Sequence, residues 1–264
     1  MIYILGMSHI HPVLDACAVD GFDAQKAKIM NDSAPAFVDW DTAPGLLPAP
    51  VKAANIHIGQ FALHWGPALA QMTAPGVVGV VPGFQEFLAT IDRATPGNVL
   101  FAFMHGEEYH HMSVREYNAP YDFELPARPD LGFAPGRQVV PLEFVERQAN
   151  YFLQRAVANL SALRSFLPGM RIVNVICPPP STPGEELGGP PHHFVRLKNY
   201  LVYAQALHAA AARIGIETLL PPAAALTHEG LLQERYAEDP VHGNKEYGLM
   251  VLDQMKDLMM QEAR

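Results

Sequence analysis

Continuous apolar runs alternate with stretches of helical periodicity along much of this chain. Met1 to Leu5 is a short, β-favouring apolar run that ends at Gly6, and Val99 to Met104 is another; Ile172 to Ile176 and Ile216 to Leu220 are predicted strands that carry Asn174 and Glu217-Thr218 among their apolar residues. Such runs lack the polar alternation of a half-exposed strand, so they predict strands covered on both faces, as in a parallel sheet. Between them the apolar spacing turns helical. Phe84, Phe87, Leu88 and Ile91 predict a helix from Phe84 to Ala94, with Pro96-Gly97 as the following turn. Pro141 to Leu167 predicts a long helix, with Pro141 at a tolerated first-turn position and Pro168-Gly169 as its stop. A further helix follows the loop Pro178 to Pro191, running through Ala212 and ended by Gly215, and Leu249, Val251, Leu252, Met255, Leu258 and Met259 predict a last one between Asn244 and Ala263. His11 to Val19 predicts a short helix with Pro12 in its first turn. Strands alternating with helices in this way predict an α/β fold, a mainly parallel sheet between two helical layers.

Two regions break the rhythm. From Asp20 to Val81 prolines and glycines are scattered, with strands expected around Ile56 to Leu63 and Gly76 to Val81. Ala119 to Gly136 is Pro-rich and too long for a plain connection, so it is expected to cover the site as a lid. The expected organisation is one domain over 1–264 with insertions at about 20–80 and 112–140. At 264 residues and 49% hydrophobic content the chain can bury a sizeable core.

Charge and cysteine content narrow the partners. The formal net charge is −9 and no Lys/Arg-rich run occurs, which argues against nucleic acid or an anionic membrane surface. Cys17 and Cys177 are the two cysteines, without C-x-x-C spacing, and read as small buried residues. No apolar stretch approaches the roughly 20 residues that span a bilayer.

The candidate chemistry sits at the two ends. Gly6-Met7-Ser8-His9 follows the first strand, at the carboxyl end where open α/β sheets place their sites, and Asp239-Pro240-Val241-His242 lies in the loop before the last helix. A hydroxyl is a poor nucleophile at neutral pH until an imidazole accepts its proton, and a carboxylate fixes that imidazole's tautomer and stabilises its charged form. Ser8, His242 and Asp239 are those three parts, against the plainer reading of Ser8 as a helix cap and Asp239-Pro240 as a turn. A catalytic Ser8 leaves no room for a cleaved leader before it, and cytoplasmic localisation is the default expectation.

On these residues the chain resembles the SGNH (GDSL-type) hydrolase superfamily, whose members carry a Ser after strand one and a D-x-x-H element before the last helix. The resemblance continues in Ile172 to Ile176 followed by Cys177-Pro178-Pro179-Pro180, and in Glu229-Gly230-Leu231-Leu232 followed by Tyr236 and Asp239. It implies a flavodoxin-like, three-layer α/β/α fold and serine-dependent acyl chemistry. The family also carries an Asn in a Gly-x-Asn block that helps hold the oxyanion. Here the corresponding stretch is His105-Gly106-Glu107-Glu108-Tyr109-His110-His111. Glu107 occupies or neighbours the Asn position, where an ionised carboxylate would repel a developing oxyanion. The oxyanion donors expected instead are the Ser8 backbone N–H with His105, His110 or a backbone N–H at Gly59 or Gly79.

The same cluster offers metal-ligating side chains, but its spacing is not H-E-x-x-H and no metal is expected there. No cofactor is implied. G-x-S-x-G, Walker A and G-x-G-x-x-G motifs are absent from the chain. The sequence therefore points to an esterase or deacylase acting on a small-molecule ester through a Ser8 acyl-enzyme. Acyl transfer to a saccharide or small metabolite, a non-catalytic binding role, and a metal-dependent enzyme built on His105 to His111 stay open as alternatives.

Overall fold

The computed structural model describes residues 2–6, 8–17, 36–39, 56–60, 70–74, 77–80, 88–89, 91–104, 112, 121–181 and 189–260. Within these, the side chains at 2, 8, 11, 14, 17, 36–39, 56–60, 70–74, 77–80, 189–193, 256 and 260 fall outside the description.

The strands are β1 (Ile2–Gly6), β2 (Ala36–Asp39), β3 (Ile56–Gln60), β4 (Ala70–Ala74), β5 (Val77–Val80), β6 (Val99–Phe103), β7 (Tyr121–Asp122), β8 (Gln138–Val139), β9 (Arg171–Val175) and β10 (Glu217–Leu219). The helices are α1 (His11–Cys17), α2 (Leu142–Phe166), α3 (Gly189–Arg213) and α4 (Lys245–Met260). The main sheet is six-stranded in the order β10-β9-β6-β1-β3-β2. β2 runs antiparallel to β3 at one edge, and the other pairs are parallel. By order of appearance the parallel strands lie second, first, third, fourth, fifth, the flavodoxin-like order expected above, and the direction of winding reverses between β1 and β6. At such a switch point the connections leave to opposite faces and open a crevice at the carboxyl ends of the strands. β4 and β5 form a separate hairpin, and β7 and β8 a short parallel pair.

Both faces of the sheet are covered, which is why its central strands β1 and β6 read as unbroken apolar runs. On one face Tyr3, Leu5, Leu100, Ala102 and Ile172 pack against α2 and α3. The α2 contribution is Val145, Ala149, Leu153, Ala156, Leu160 and Leu163, one helical stripe. On the other face Ile4, Phe101, Phe103, Val173 and Val175 meet Val13 and Ala16 of α1 and Tyr247, Val251 and Met255 of α4. The result is the three-layer arrangement anticipated from the pattern. Helix ends follow their signals: α2 starts after Pro141, and Gly169 and Gly215, past the ends of α2 and α3, have φ of 80° and 69°.

α1 and α4 come unusually close. A methyl group on Gly248 would lie 1.8 Å from the carbonyl oxygen of Pro12, so the two backbones touch where α4 has no side chain. α1 follows the Ser8 turn directly and α4 follows the His242 loop directly. This contact therefore sets how near the two loops stand.

One expectation is corrected, and one segment is found anchored. The helix expected to run to Ala94 is over by Ile91, although Leu88 and Ala89 are helical. The Asp92 carboxylate accepts hydrogen bonds from the Ala94 and Thr95 N–H groups at 2.9 and 3.2 Å, and this local turn competes with continued helix. The Pro-rich segment expected as a lid is packed in place over 121–140. Asp122 and Lys198 are each 1% exposed and form an ion pair. Lys198 also donates to the carbonyls of Phe123 and Gly132, both at 2.8 Å, so all three ammonium protons are used. Asp122 in turn accepts from the N–H groups of Phe123 and Ala134, both at 2.7 Å. Phe123, Leu125, Leu131 and Ala134 are buried around this knot.

Two stability predictions follow from these contacts. Lys198→Met leaves the Asp122 carboxylate buried without its counter-charge and is expected to cost about 3–5 kcal/mol in urea unfolding; a loss near zero would mean that the ion pair does not anchor the segment. Gly248→Ala, although it favours helix by about 1 kcal/mol, is expected to cost about 1–3 kcal/mol net because α1 must move away from α4. An unchanged midpoint would show that the helices separate freely.

Candidate active site

The carboxyl edge at the switch point carries the chemistry. β1 ends at Gly6, and Ser8–Ile10 forms a single 3-10 turn before α1. Gly6 makes this sharp exit possible: a methyl there would lie 2.5 Å from Phe103 Cβ on β6 and 2.6 Å from Ile10 Cγ2. The side chain of Ser8 lies outside the described residues, as do His105, Gly106, Glu107 and His110. Its neighbour His9 is described and is 3% exposed.

His242 is presented by a closed loop. Ala237 and Gly243 form an antiparallel bridge, and the Glu238 N–H donates to the His242 carbonyl at 3.0 Å. Asn244 secures the far side: its side-chain amide donates to the Arg235 carbonyl at 2.8 Å, and its side-chain oxygen accepts from the Tyr247 N–H at 3.2 Å at the start of α4. Gly243 leaves room for the Tyr247 ring, since a methyl there would lie 2.3 Å from it. Ser181, in the loop after β9, reaches this His242 loop, donating from its N–H to the Pro240 carbonyl and from its hydroxyl to the Asp239 carbonyl, both at 3.4 Å.

Asp239 organises the loop from inside. One carboxylate oxygen accepts the N–H groups of Val241 and His242, both at 2.7 Å, and the other lies 2.7 Å from His242 Nδ1. Partial burial pushes the Asp239 carboxyl up, but the His242 contact and the two backbone donors outweigh it and hold the group well below its ordinary value of 3.8. An ionised carboxylate can only accept, so Nδ1 carries the hydrogen, and in the neutral ring the lone pair lies on Nε2. That is the tautomer a general base requires. The His242 side chain is 23% exposed, within reach of a small molecule.

The structure brings the two ends of the chain together at this point. The rings of His9 and His242 lie 4.7 Å apart between centroids, with planes tilted by 36°. The Asp239–His242 pair thus stands against the residue that follows Ser8. Gly59 lies in β3 opposite Leu5 of β1, and Gly79 lies in the β4–β5 hairpin opposite Gln71. Among the described residues no group of three His, Cys, Asp or Glu side chains is placed to hold a metal ion, and no helix is long and apolar enough to cross a membrane. Sequence reasoning gave no role to His9, Ser181 or Asn244. His9 had a signal, its place inside the Gly6-Met7-Ser8-His9 motif, whereas Ser181 and Asn244 act through backbone groups that no motif marks.

No family model matches this chain, and no curated protein does. Solved structures are similar at low identity. A Bacteroides fragilis protein assigned as an acylhydrolase shares 9% identity with a TM-score of 0.44, over 100% of this chain and 88% of that one. A Parabacteroides merdae protein assigned as a GDSL-like lipase shares 14% with a TM-score of 0.41, over 98% and 93%. A carbohydrate acetylesterase from Sinorhizobium meliloti shares 9% with a TM-score of 0.36, over 98% of both chains. At these scores the likeness carries neither activity nor substrate across.

Asp239 carries a pH prediction. Its depressed pKa means that it stabilises the fold fully above the ordinary carboxylate range and that the contribution is lost as pH falls through and below 3.8. The stability gap between the wild type and Asp239→Asn should therefore be widest at neutral pH and close on acidification, measured by urea unfolding at a series of pH values. A gap that is flat with pH would contradict the carboxylate's role in the loop.

Proposed function

We propose that this protein is a serine ester hydrolase acting on a small-molecule ester through an acyl-enzyme on Ser8. The observation that supports it most directly is the Asp239–His242 pair, with His242 in the base tautomer, standing 4.7 Å ring to ring from His9, the next residue after Ser8. In this reading Ser8 Oγ attacks the ester carbonyl carbon while His242 Nε2 takes its proton. The tetrahedral intermediate collapses, the C–O bond to the alcohol breaks, and the imidazolium returns the proton to the leaving oxygen. Water then attacks the Ser8 ester with His242 again as base, releasing the acid and restoring the serine. Asp239 keeps the hydrogen on Nδ1 and offsets the imidazolium charge in both steps. The Ser8 backbone N–H contributes to holding the oxyanion. Hydrolysis is proposed ahead of acyl transfer because it requires no second binding site.

A fluorophosphonate probe located by mass spectrometry tests the reading. The expected adduct is on Ser8, and Ser8→Ala should abolish it while lowering p-nitrophenyl acetate turnover by roughly 10³-fold or more. An adduct on another residue, or Ser8→Ala turning over at the wild-type rate, would overturn it.

A further inference from the structure

Asp239 constrains the His242 ring along one direction. The Nδ1–Oδ2 contact at 2.7 Å holds one nitrogen and the tautomer, and it acts in the plane of the ring. A contact on the ring face acts in the other direction and resists tilting that would carry Nε2 out of line. A base displaced by about 1 Å from its nucleophile can lose on the order of 10²-fold in rate. A second constraint, across the ring plane, is therefore worth a large factor.

His9 is placed to supply it. Its ring lies 4.7 Å from that of His242 with a 36° tilt, close enough for direct ring contact. At 3% exposure it is itself held by its surroundings. The turn that carries it is fixed by the tight fit of Gly6 against β6 and by the α1–α4 contact at Gly248. His9 is poorly placed to act as the base, because consecutive residues on a helical turn do not face each other. It stands instead between the nucleophile's own turn and the general base.

We propose that His9 is a positioning residue for His242, a flat aromatic wall that sets the plane of the imidazole while Asp239 sets its tautomer; the role rests on the reading of Ser8, His242 and Asp239 as the reacting groups. One 3-10 turn then carries both the nucleophile and the stop for its base, so any movement of the turn moves the two together. A flat ring is the feature that matters. Phenylalanine at this position keeps the wall, and leucine fills comparable space without it.

The test compares His9→Phe, His9→Leu and His9→Ala in the full chain. Turnover of p-nitrophenyl acetate is read per active site counted with the fluorophosphonate probe, and the His242 Nδ1 proton is followed by ¹H NMR. His9→Ala and His9→Leu are expected to lose roughly 10–100-fold in kcat with KM nearly unchanged, and the Nδ1 proton signal should broaden as the ring gains freedom. His9→Phe should recover most of kcat and the sharp signal. Should His9→Ala fold poorly, the Leu and Phe pair still decides the matter. Full kcat per active site in His9→Leu would overturn the proposal, as would a kcat loss with the Nδ1 signal unaltered. A loss in His9→Phe as deep as that of His242→Ala would also overturn it, making His9 a proton carrier. If Ser8 of the wild type takes no probe, the reading of the site itself has failed; if it does and the His9 variants match the wild type, only the positioning role has.

Discussion

The contact between Gly248 of α4 and the Pro12 carbonyl of α1 is the constraint on which the site depends. Helices normally stand apart by the thickness of their side chains, and here that thickness is removed at one point on α4. Because α1 is the direct continuation of the Ser8–Ile10 turn and α4 of the Asp239 to His242 loop, their separation fixes the separation of two loops from opposite ends of the chain. Gly6 and Gly243 act in the same sense at the two loop exits, each admitting a neighbour that a methyl group would displace. The approach of His9 to His242 is the product of these close fits.

Two acidic–basic pairs in the molecule show how surroundings decide what a pair does. Asp122 and Lys198 are sealed, with every ammonium proton and both carboxylate oxygens engaged, and they lock 121–140 onto α3. Asp239 and His242 stand nearer the surface, with side chains 44% and 23% exposed. A closed network of charges rigidifies. An accessible pair like this one leaves the imidazole within reach of a small molecule while its tautomer stays fixed.

Much of the fold was legible because burial on both faces leaves a plain mark. β1 and β6 are apolar without interruption, β9 is apolar apart from Arg171 and Asn174, α2 carries a single apolar stripe, and Pro and Gly punctuate the helix ends where the chain turns. Asp239 and His242 were legible as a pair because a short loop before an amphipathic helix limits where they can point. Where local cues competed, the reading failed. Asp92 ended a helix that the apolar period would have extended, and nothing local announces that Asp122, within the Pro-rich stretch, will meet Lys198 far along the chain.

By itself, then, the sequence determined the alternation of strands and helices, the three-layer class, and the Asp–His loop, all of which depend on neighbours within a few residues. The tertiary structure decided the order of the strands, the anchoring of the 121–140 segment, the backbone contact at Gly248 and the tilted ring contact of His9 with His242. These depend on residues far apart in the chain meeting at a fixed distance, and that distance is set by the packing of whole layers rather than by any local preference.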